Sequence, residues 1–453
     1  MKQWKTIALA AMAMIAVPAS ATPTAAEAAQ LGKELTPVGA ERAGNKDGSI
    51  PEWTGGLCKP PANYKPVNGK GGWPYVNSFD NEKPLFSITA ANMAQYEGKI
   101  NEAQKVLLST YPKSYRIDVY KTHRTACYPE LVYENTIKRV MTPKLVGAAP
   151  GLEGAHAQIP FPIPKTGQEV IWNSLAEFLP VYFGGEFETY LADSQGNRTL
   201  VTKAKLRYRT DYWNNKLTTS DMLSTLLNVN EGPAAKAGSM DMRTVWKLMN
   251  QTDPRAWSYT PGQRRVRVAP EFTYDTVSSQ YAGLQLFDEI NGFDGKMDRF
   301  DFKLTGKKEM YIPANTTKLG AVPIDVAMLK NHVNPDVVRW ELRRVWVVEA
   351  TRKPEARHIY SKKVFYVDED SWHIAAYEAY DQAGKLYRHQ SWMDYQAYDI
   401  PAPIHKICVG YDFNKNAYFV GSRPLPGTAG WRPIDPLPET YFTPDSMAGM
   451  GVR

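Results

Sequence analysis

The sequence predicts a mainly β protein with some helix, of the α+β class: one large curved antiparallel sheet, covered by helices and joined by an irregular N-terminal arm. Three observations predict it. Residues 203–212, KAKLRYRTDY, place Lys203, Lys205, Arg207, Arg209 and Asp211 on odd positions and Ala204, Leu206, Tyr208, Thr210 and Tyr212 on even ones. A period of two marks a strand with one wet face and one dry face. Between residues 182 and 420, about ten such segments follow one another across short turns, and connections that short join antiparallel neighbours. Before residue 110 the chain is instead rich in Pro, Gly, Trp and Asn (GNKDGSIPEWTGG, KPPANYKPVNGKGGWPYVN), which is turn chemistry without period.

The elements follow in order. Lys2 and Lys5, the apolar run Ile7–Val17 and the small-residue site Ala19-Ser20-Ala21 form a secretory signal peptide over residues 1–21. Its cleavage region holds no cysteine, so lipidation is not expected. No later stretch reaches the length of uncharged apolar chain a membrane span needs. Residues 22–110 are expected to wrap the body through Trp53, Tyr64, Trp73 and Phe86, with one helix from Thr89 to about Leu108. The remaining chain, 111–453, forms the sheet domain. It begins with short strands near Cys127 and a helix over QEVIWNSLAEFL that gathers Val170, Ile171, Ser174, Leu175 and Phe178 on one face.

Hairpins are expected at Ser194-Gln195-Gly196-Asn197 and at Pro261-Gly262, where Val266 and Val268 should face in and Arg265 and Arg267 out. DRFDFKL alternates Phe300, Phe302 and Leu304 against Arg299, Asp301 and Lys303. RWELRRVWVVEA alternates Trp340, Leu342, Arg344 and Trp346 against Arg339, Glu341 and Arg343. Arg344 is the odd member of its row: it needs a bulge, a rim position or an inside partner. Asp368-Glu369-Asp370 and Asp294-Gly295 are expected to be turns. A sheet of this size twists and curls around its apolar face, which is then filled by side chains or holds an apolar guest. The candidate lining is Leu206, Tyr208, Tyr212, Val266, Val268, Phe300, Phe302, Trp340, Leu342, Arg344 and Trp346.

Composition narrows the function classes. The 453 residues carry a net charge of +7, or +5 without Lys2 and Lys5, spread along strands and not massed in a tail. With a secretion signal this argues against nucleic acid as a partner. The positive strand faces form one possible basic outer wall, with Asp211 and Glu188 as cross-strand partners. Of Cys58, Cys127 and Cys408, loop placement favours a Cys58–Cys127 disulfide and leaves Cys408 a buried thiol, although spacing alone does not fix the pairing.

No catalytic motif is readable. GNKDGS (44–49) lacks the end carboxylates of a calcium loop and reads as an Asx turn. The seven histidines show no metal-ligand spacing, although His373 and His389 could meet across paired strands, near Asp381 or Glu378. There is no nucleophile elbow, dinucleotide fingerprint or P-loop, so no cofactor and no metal is expected.

Four long stretches carry a family resemblance: LTPVGAERAGNKDGSIPEW, YTPGQRRVRVAP, GFDGKMDRFDFKLTGKKEMYIP and RWELRRVWVVEATRKPEARHIYSKKVFYVDEDSW. They resemble a Gram-negative envelope family, the domain of unknown function numbered 1329, over about residues 30–440. The family is in turn distantly similar to the LolA/LolB lipoprotein carriers. The resemblance implies a half-barrel closed by helices around a hydrophobic cavity, in the periplasm. The implied setting is beside a resistance–nodulation–division type transporter and an outer-membrane protein. It supplies no catalytic residues. The expected function is therefore a non-catalytic carrier of a lipid or other hydrophobic compound. The alternatives are an adaptor with a packed interior, or a hydrolase of a hydrophobic substrate.

Overall fold

The computed structural model describes residues 22–65, 73, 75, 78–269 and 273–451; the signal peptide expected over 1–21 lies outside the described residues. The strands in chain order are β1 (Phe86–Ile88), β2 (Ile117–Tyr120), β3 (Lys144–Val146), β4 (Gly151–Glu153), β5 (Tyr182–Ala192), β6 (Arg198–Arg209), β7 (Met222–Gly232), β8 (Met240–Trp246) and β9 (Arg255–Thr260). They continue with β10 (Arg265–Val268), β11 (Phe300–Pro313), β12 (Trp340–Arg352), β13 (Lys362–Asp368), β14 (Ile374–Tyr380), β15 (Leu386–Ala397), β16 (Ala402–Asp412), β17 (Ala417–Pro424) and β18 (Arg432–Pro433).

Two antiparallel meanders, β5 to β10 and β11 to β17, fuse where β17 pairs with β5. Together with β1, β2 and β18 they form a 16-stranded sheet whose path does not close on itself. Among the described strands of this sheet, the short β2–β12 contact alone is parallel. Thirteen strands thus lie between residues 182 and 424, where about ten were expected. Register shifts at Thr189/Tyr190, Lys203/Ala204, Leu304/Gly306 and Met393/Tyr395 insert bulges. Each bends its strand and sharpens the twist, which lets so wide a sheet curve.

The alternation in β6 is realised: Ala204 and Tyr208 are buried, while Lys203, Lys205, Arg207 and Arg209 keep contact with solvent. The strand stops at Arg209, and Asp211–Trp213 turn inward as a 3-10 segment. Asp211 is therefore buried beneath Arg209 (2.8 Å) instead of standing on the outer row. Lys205 pairs with Glu231 (2.6 Å) and Arg207 with Glu186 (3.1 Å), so much of the basic wall is neutralised in place. Glu188 serves Arg423 (2.7 Å).

Helix Gly167–Leu175 starts with a capping box: Thr166 and Glu169 each accept the other's backbone N–H at 3.2 Å. It is buried on nearly every side because it packs on β11 and β12, and Gly167 is required there because a Cβ would press on the Phe302 carbonyl. The single helix expected over Thr89–Leu108 is two pieces, a 3-10 segment Met93–Lys99 and an α-helix Glu102–Thr110. Asn101 caps the second piece, and its extended backbone breaks the run. After β2 the chain forms a helix, Glu130–Arg139, where short strands were expected.

The arm is fastened to the body. Trp53 donates to the Ala126 carbonyl (3.1 Å), Trp372 donates to the Val38 carbonyl (2.8 Å), and Cys58 and Cys127 form a disulfide with Cα atoms 5.5 Å apart. Gly39 has a φ of +97°, and a Cβ there would overlap the Pro162 carbonyl, so only glycine fits. Asn45 and Asp47 accept backbone N–H groups of Ile50 (2.9 Å) and Ser49 (3.0 Å), an Asx-type turn.

The largest departure from expectation is β12. Both of its faces are buried, and its charges pair inside. The residues 368–370 are not a solvated turn but a buried acidic corner. Arg124 and Arg343 reach Asp370 (2.6 and 3.1 Å), Arg339 and Arg343 reach Glu341 (2.7 and 3.2 Å), and Lys307 and Arg344 reach Glu369 (2.8 and 3.3 Å). Burial, against the pull of Arg343, pushes Asp368 up to about 7. Asp294 is likewise no hairpin turn; it is half-buried and paired with Arg243.

Candidate functional site

The segment 273–299, linking the two meanders, lies across the sheet as loops and two 3-10 turns, Ser279–Tyr281 and Phe287–Gly292. Tyr281 meets Ser422 (3.0 Å), Gln280 meets Asp241 (3.1 Å) and Gln285 meets Gln390 (2.9 Å), so the segment is pinned at several strands. Between it and the sheet is a cavity of about 110 Å³. Leu206, Leu226, Met242, Phe287, Trp392 and Trp431 form its apolar wall. Asn228, Asp241, Arg243, Ser278, Gln280 and Gln285 form a polar one. Tyr208, Leu226, Ile290 and Asn291 also line a second chamber of about 60 Å³, which continues to Tyr212, Trp213, Leu223 and Val245.

The polar wall is unusual in its unmet hydrogen bonds. Asn228 Oδ1, Arg243 Nε, Ser278 Oγ, Gln280 Oε1 and Gln285 Oε1 have no partner among the described residues. Buried polar atoms without partners are costly, and a run of them along one cavity marks a place for a polar guest. Burial also pushes the carboxyl of Asp241 up to about 6, against the hydrogen bond from Gln280.

Where the two chambers adjoin, Lys406 lines the larger and Glu177 the smaller, and they pair at 2.5 Å. Behind them His373 and His405 stack with ring centres 3.8 Å apart, and Glu177 Oε2 lies 3.8 and 3.1 Å from them. Burial raises the cost of the Glu177 charge, but Lys406, with the two histidines, more than offsets it and holds the carboxyl well below the usual range. Burial, and His373 beside it, hold His405 down at about 4, so its ring is neutral at pH 7.

Glu177, His373 and His405 bring donor atoms within 4.8 Å of one another, a juxtaposition the sequence spacing did not suggest. The near-parallel rings (22°) point their in-plane lone pairs side by side, whereas metal ligands must converge on one ion. Lys406 already occupies the carboxylate. The group suits a buried Glu177–Lys406 ion pair backed by the two stacked rings better than a cation site. His389 stands apart, bonded to the Tyr377 carbonyl (2.8 Å), so the expected meeting of His373 with His389 does not occur.

Of the predicted lining, Leu206 and Tyr208 border the larger cavity, and Tyr208 and Tyr212 the smaller. The others go elsewhere. Phe300 and Phe302 pack with Phe293 and Phe365 in a filled core. Trp340 and Leu342 join the core beneath the arm, and Trp346 stacks on Trp372. Arg344 pairs with Glu369 and Glu41 in the acidic corner. Val266 packs near the C-terminal helix, and Val268, on the edge strand β10, is 66% exposed. These two are corrections: β10 is the edge strand, away from the cavity, and only Val266 finds a cover, in the C-terminal helix. The covering residues Ser278–Asn291 were missed because they have no period; their one sequence signal is glutamine and serine interspersed with Leu, Phe and Ile.

Comparison with known proteins adds the following. The family model described as "Protein of unknown function (DUF1329)" matches residues 87–448. The uncharacterized protein PA3922 of Pseudomonas aeruginosa is 38% identical over 455 aligned positions, covering 98% of this chain and 97% of that protein. Among solved structures, a DUF1329 family protein from Desulfovibrio piger aligns with 62% of this chain and 97% of its own at 13% identity and a TM-score of 0.43. A LolA superfamily protein from Nitrosomonas europaea aligns with 62% of this chain and 99% of its own at 11% identity and a TM-score of 0.34.

Proposed function

The chain belongs to the DUF1329 family, and from that premise we propose that it is a non-catalytic binding protein that carries a lipid or other hydrophobic compound in the cavity beneath segment 273–299. The observation that carries this reading is the cavity itself: an aromatic and aliphatic wall, a second apolar chamber beside it, and a covering segment pinned across it by side-chain hydrogen bonds. Each CH₂ removed from water contributes about 0.8 kcal/mol, so even a short acyl segment in this space gains several kcal/mol.

The setting we propose is the periplasm. The signal-peptide pattern and the Cys58–Cys127 disulfide support it. Among the described residues no helix is long and apolar enough to cross a membrane. Hand-over to a resistance–nodulation–division type transporter and an outer-membrane protein is the partner reading that goes with it. It rests on the family resemblance of the sequence motifs.

The test is uptake of diphenylhexatriene by the purified protein, with and without Leu206→Trp. Leu206 is only partly buried at the cavity wall, so the larger ring fits by filling the space. Saturable uptake that the folded variant loses supports the carrier. Absence of uptake by the parent protein, or equal uptake by both, refutes it.

A further inference from the structure

We infer that the cargo is an amphiphile with a neutral, hydroxyl-rich head, a glycerol or sugar, and that its head is read by Asn228, Gln280 and Gln285 in the polar wall of the cavity. The inference rests on the carrier reading above and specifies its substrate class.

The orientation of each amide decides which of its atoms face the cavity unpaired. Asn230 gives its amide N–H to the Ser239 carbonyl (3.3 Å), which turns its oxygen to Asn228 Nδ2 (3.3 Å). Asn228 therefore presents Oδ1. Gln280 spends its amide nitrogen on the Asp241 carboxylate (3.1 Å), and Gln285 directs its own to Gln390 Oε1 (2.9 Å) and the Glu289 carbonyl (3.5 Å). Both then present Oε1. Three unpaired acceptors border one space, and Asp241 adds a fourth acceptor group.

The cations that would attract a carboxylate or phosphate are already neutralised: Lys406 by Glu177 at 2.5 Å and Arg243 by Asp294. Arg243 keeps an Nε–H with no partner among the described residues, and Ser278 has a hydroxyl that can donate or accept. A wall that gathers several free acceptors and whose cations are paired disfavours a free anion, because the anion would leave the acceptors unmet and would lose its own hydration. A polyol satisfies it. Each hydroxyl donates to an amide oxygen, and one can accept from Arg243. Apolar side chains on the facing wall then take the chain. Asn228, Ser278 and Gln285 are all nine-tenths buried or more, so water does not freely replace such a partner.

The test is competition against bound diphenylhexatriene at pH 8 by three ten-carbon amphiphiles: 1-decanoylglycerol, decyl glucoside and decanoate. At least one polyol is expected to compete about 10-fold or more better than decanoate, and which one does so tells glycerol from sugar. Gln280→Leu, on the covering segment, and Asn228→Leu, on β7, are each expected to weaken that polyol about 3- to 10-fold, the worth of a neutral hydrogen bond. The variants' urea midpoints should stay close to the parent's, which shows that they are folded, and competition is read relative to each variant's own affinity for diphenylhexatriene. Decanoate competing as well as both polyols, or leucine variants that leave the preference intact, overturns the inference and leaves the carrier standing. Failure of diphenylhexatriene to bind the parent protein overturns the carrier reading instead.

Discussion

Asp241→Asn should make the protein more stable at pH 7.5 and leave it unchanged at pH 4. Asp241 stands in β8 at the cavity wall with Gln280 donating to it, and burial pushes its carboxyl from 3.8 up to about 6. In the unfolded chain the same group ionises near its ordinary value. Between these two values the folded protein holds a proton that the unfolded chain has released. Stability therefore falls as pH rises through the window from about 4 to 6 and stays low above it. A shift of about two units corresponds to about 3 kcal/mol at most. The residue keeps some contact with solvent, which reduces the cost to about 1–3 kcal/mol. Asparagine has the same shape, accepts the same Gln280 hydrogen bond and never ionises. Urea unfolding followed by tryptophan fluorescence at both pH values reads the difference. A variant less stable at pH 7.5, or one with an equal gain at pH 4, would refute the reasoning.

Further expectations follow from other parts of the structure. Replacing Cys58 and Cys127 by serine frees a loop with a sequence separation of 69, and should cost about 4 kcal/mol, read as a lower urea midpoint. His389 is held down at about 4 by burial, so the native state resists protonation that the unfolded chain accepts near 6.5. Stability should fall as pH drops from about 6.5 to 4, by up to about 3 kcal/mol, and His389→Gln should flatten that decline in a urea series. Arg124→Leu leaves Asp370 in the buried acidic corner with Arg343 as its remaining cation and should lower stability by about 1–3 kcal/mol in the same measurement. Gly39→Ala should loosen the arm and speed limited proteolysis ahead of residue 58, with the sheet domain left intact.

The fold was legible where one face of a strand meets water. In β6 the lysines and arginines announce the wet side, and in the first half of β11 Asp301 and Lys303 do the same beside Phe300 and Phe302. It was illegible in β12, because Arg339, Glu341 and Arg343 look solvated in sequence and are in fact paired with each other, with Arg124 and with Asp370 under the arm. Charge marks a surface only where the fold brings it no partner, and here Arg124 and Asp370 arrive from stretches far from β12 in sequence. The cavity was half legible. Leu206, Tyr208 and Tyr212 followed from period two. Its cover, Ser278 to Asn291, has no period, and its amides gain meaning only when β7 and β8 are placed opposite. The meeting of His373 with His405 likewise needs the fold to place the start of β14 beside β16.

Native mass spectrometry of the mature protein, purified without detergent and followed by extraction of whatever it releases, tests the central claim most directly. The expected result is a discrete non-covalent adduct that disappears on denaturation, is an amphiphile with an apolar chain, and is absent from folded Leu206→Trp. A bare mass in the parent protein, with no uptake of an added ten-carbon amphiphile, would contradict it and leave the cavity a packing void.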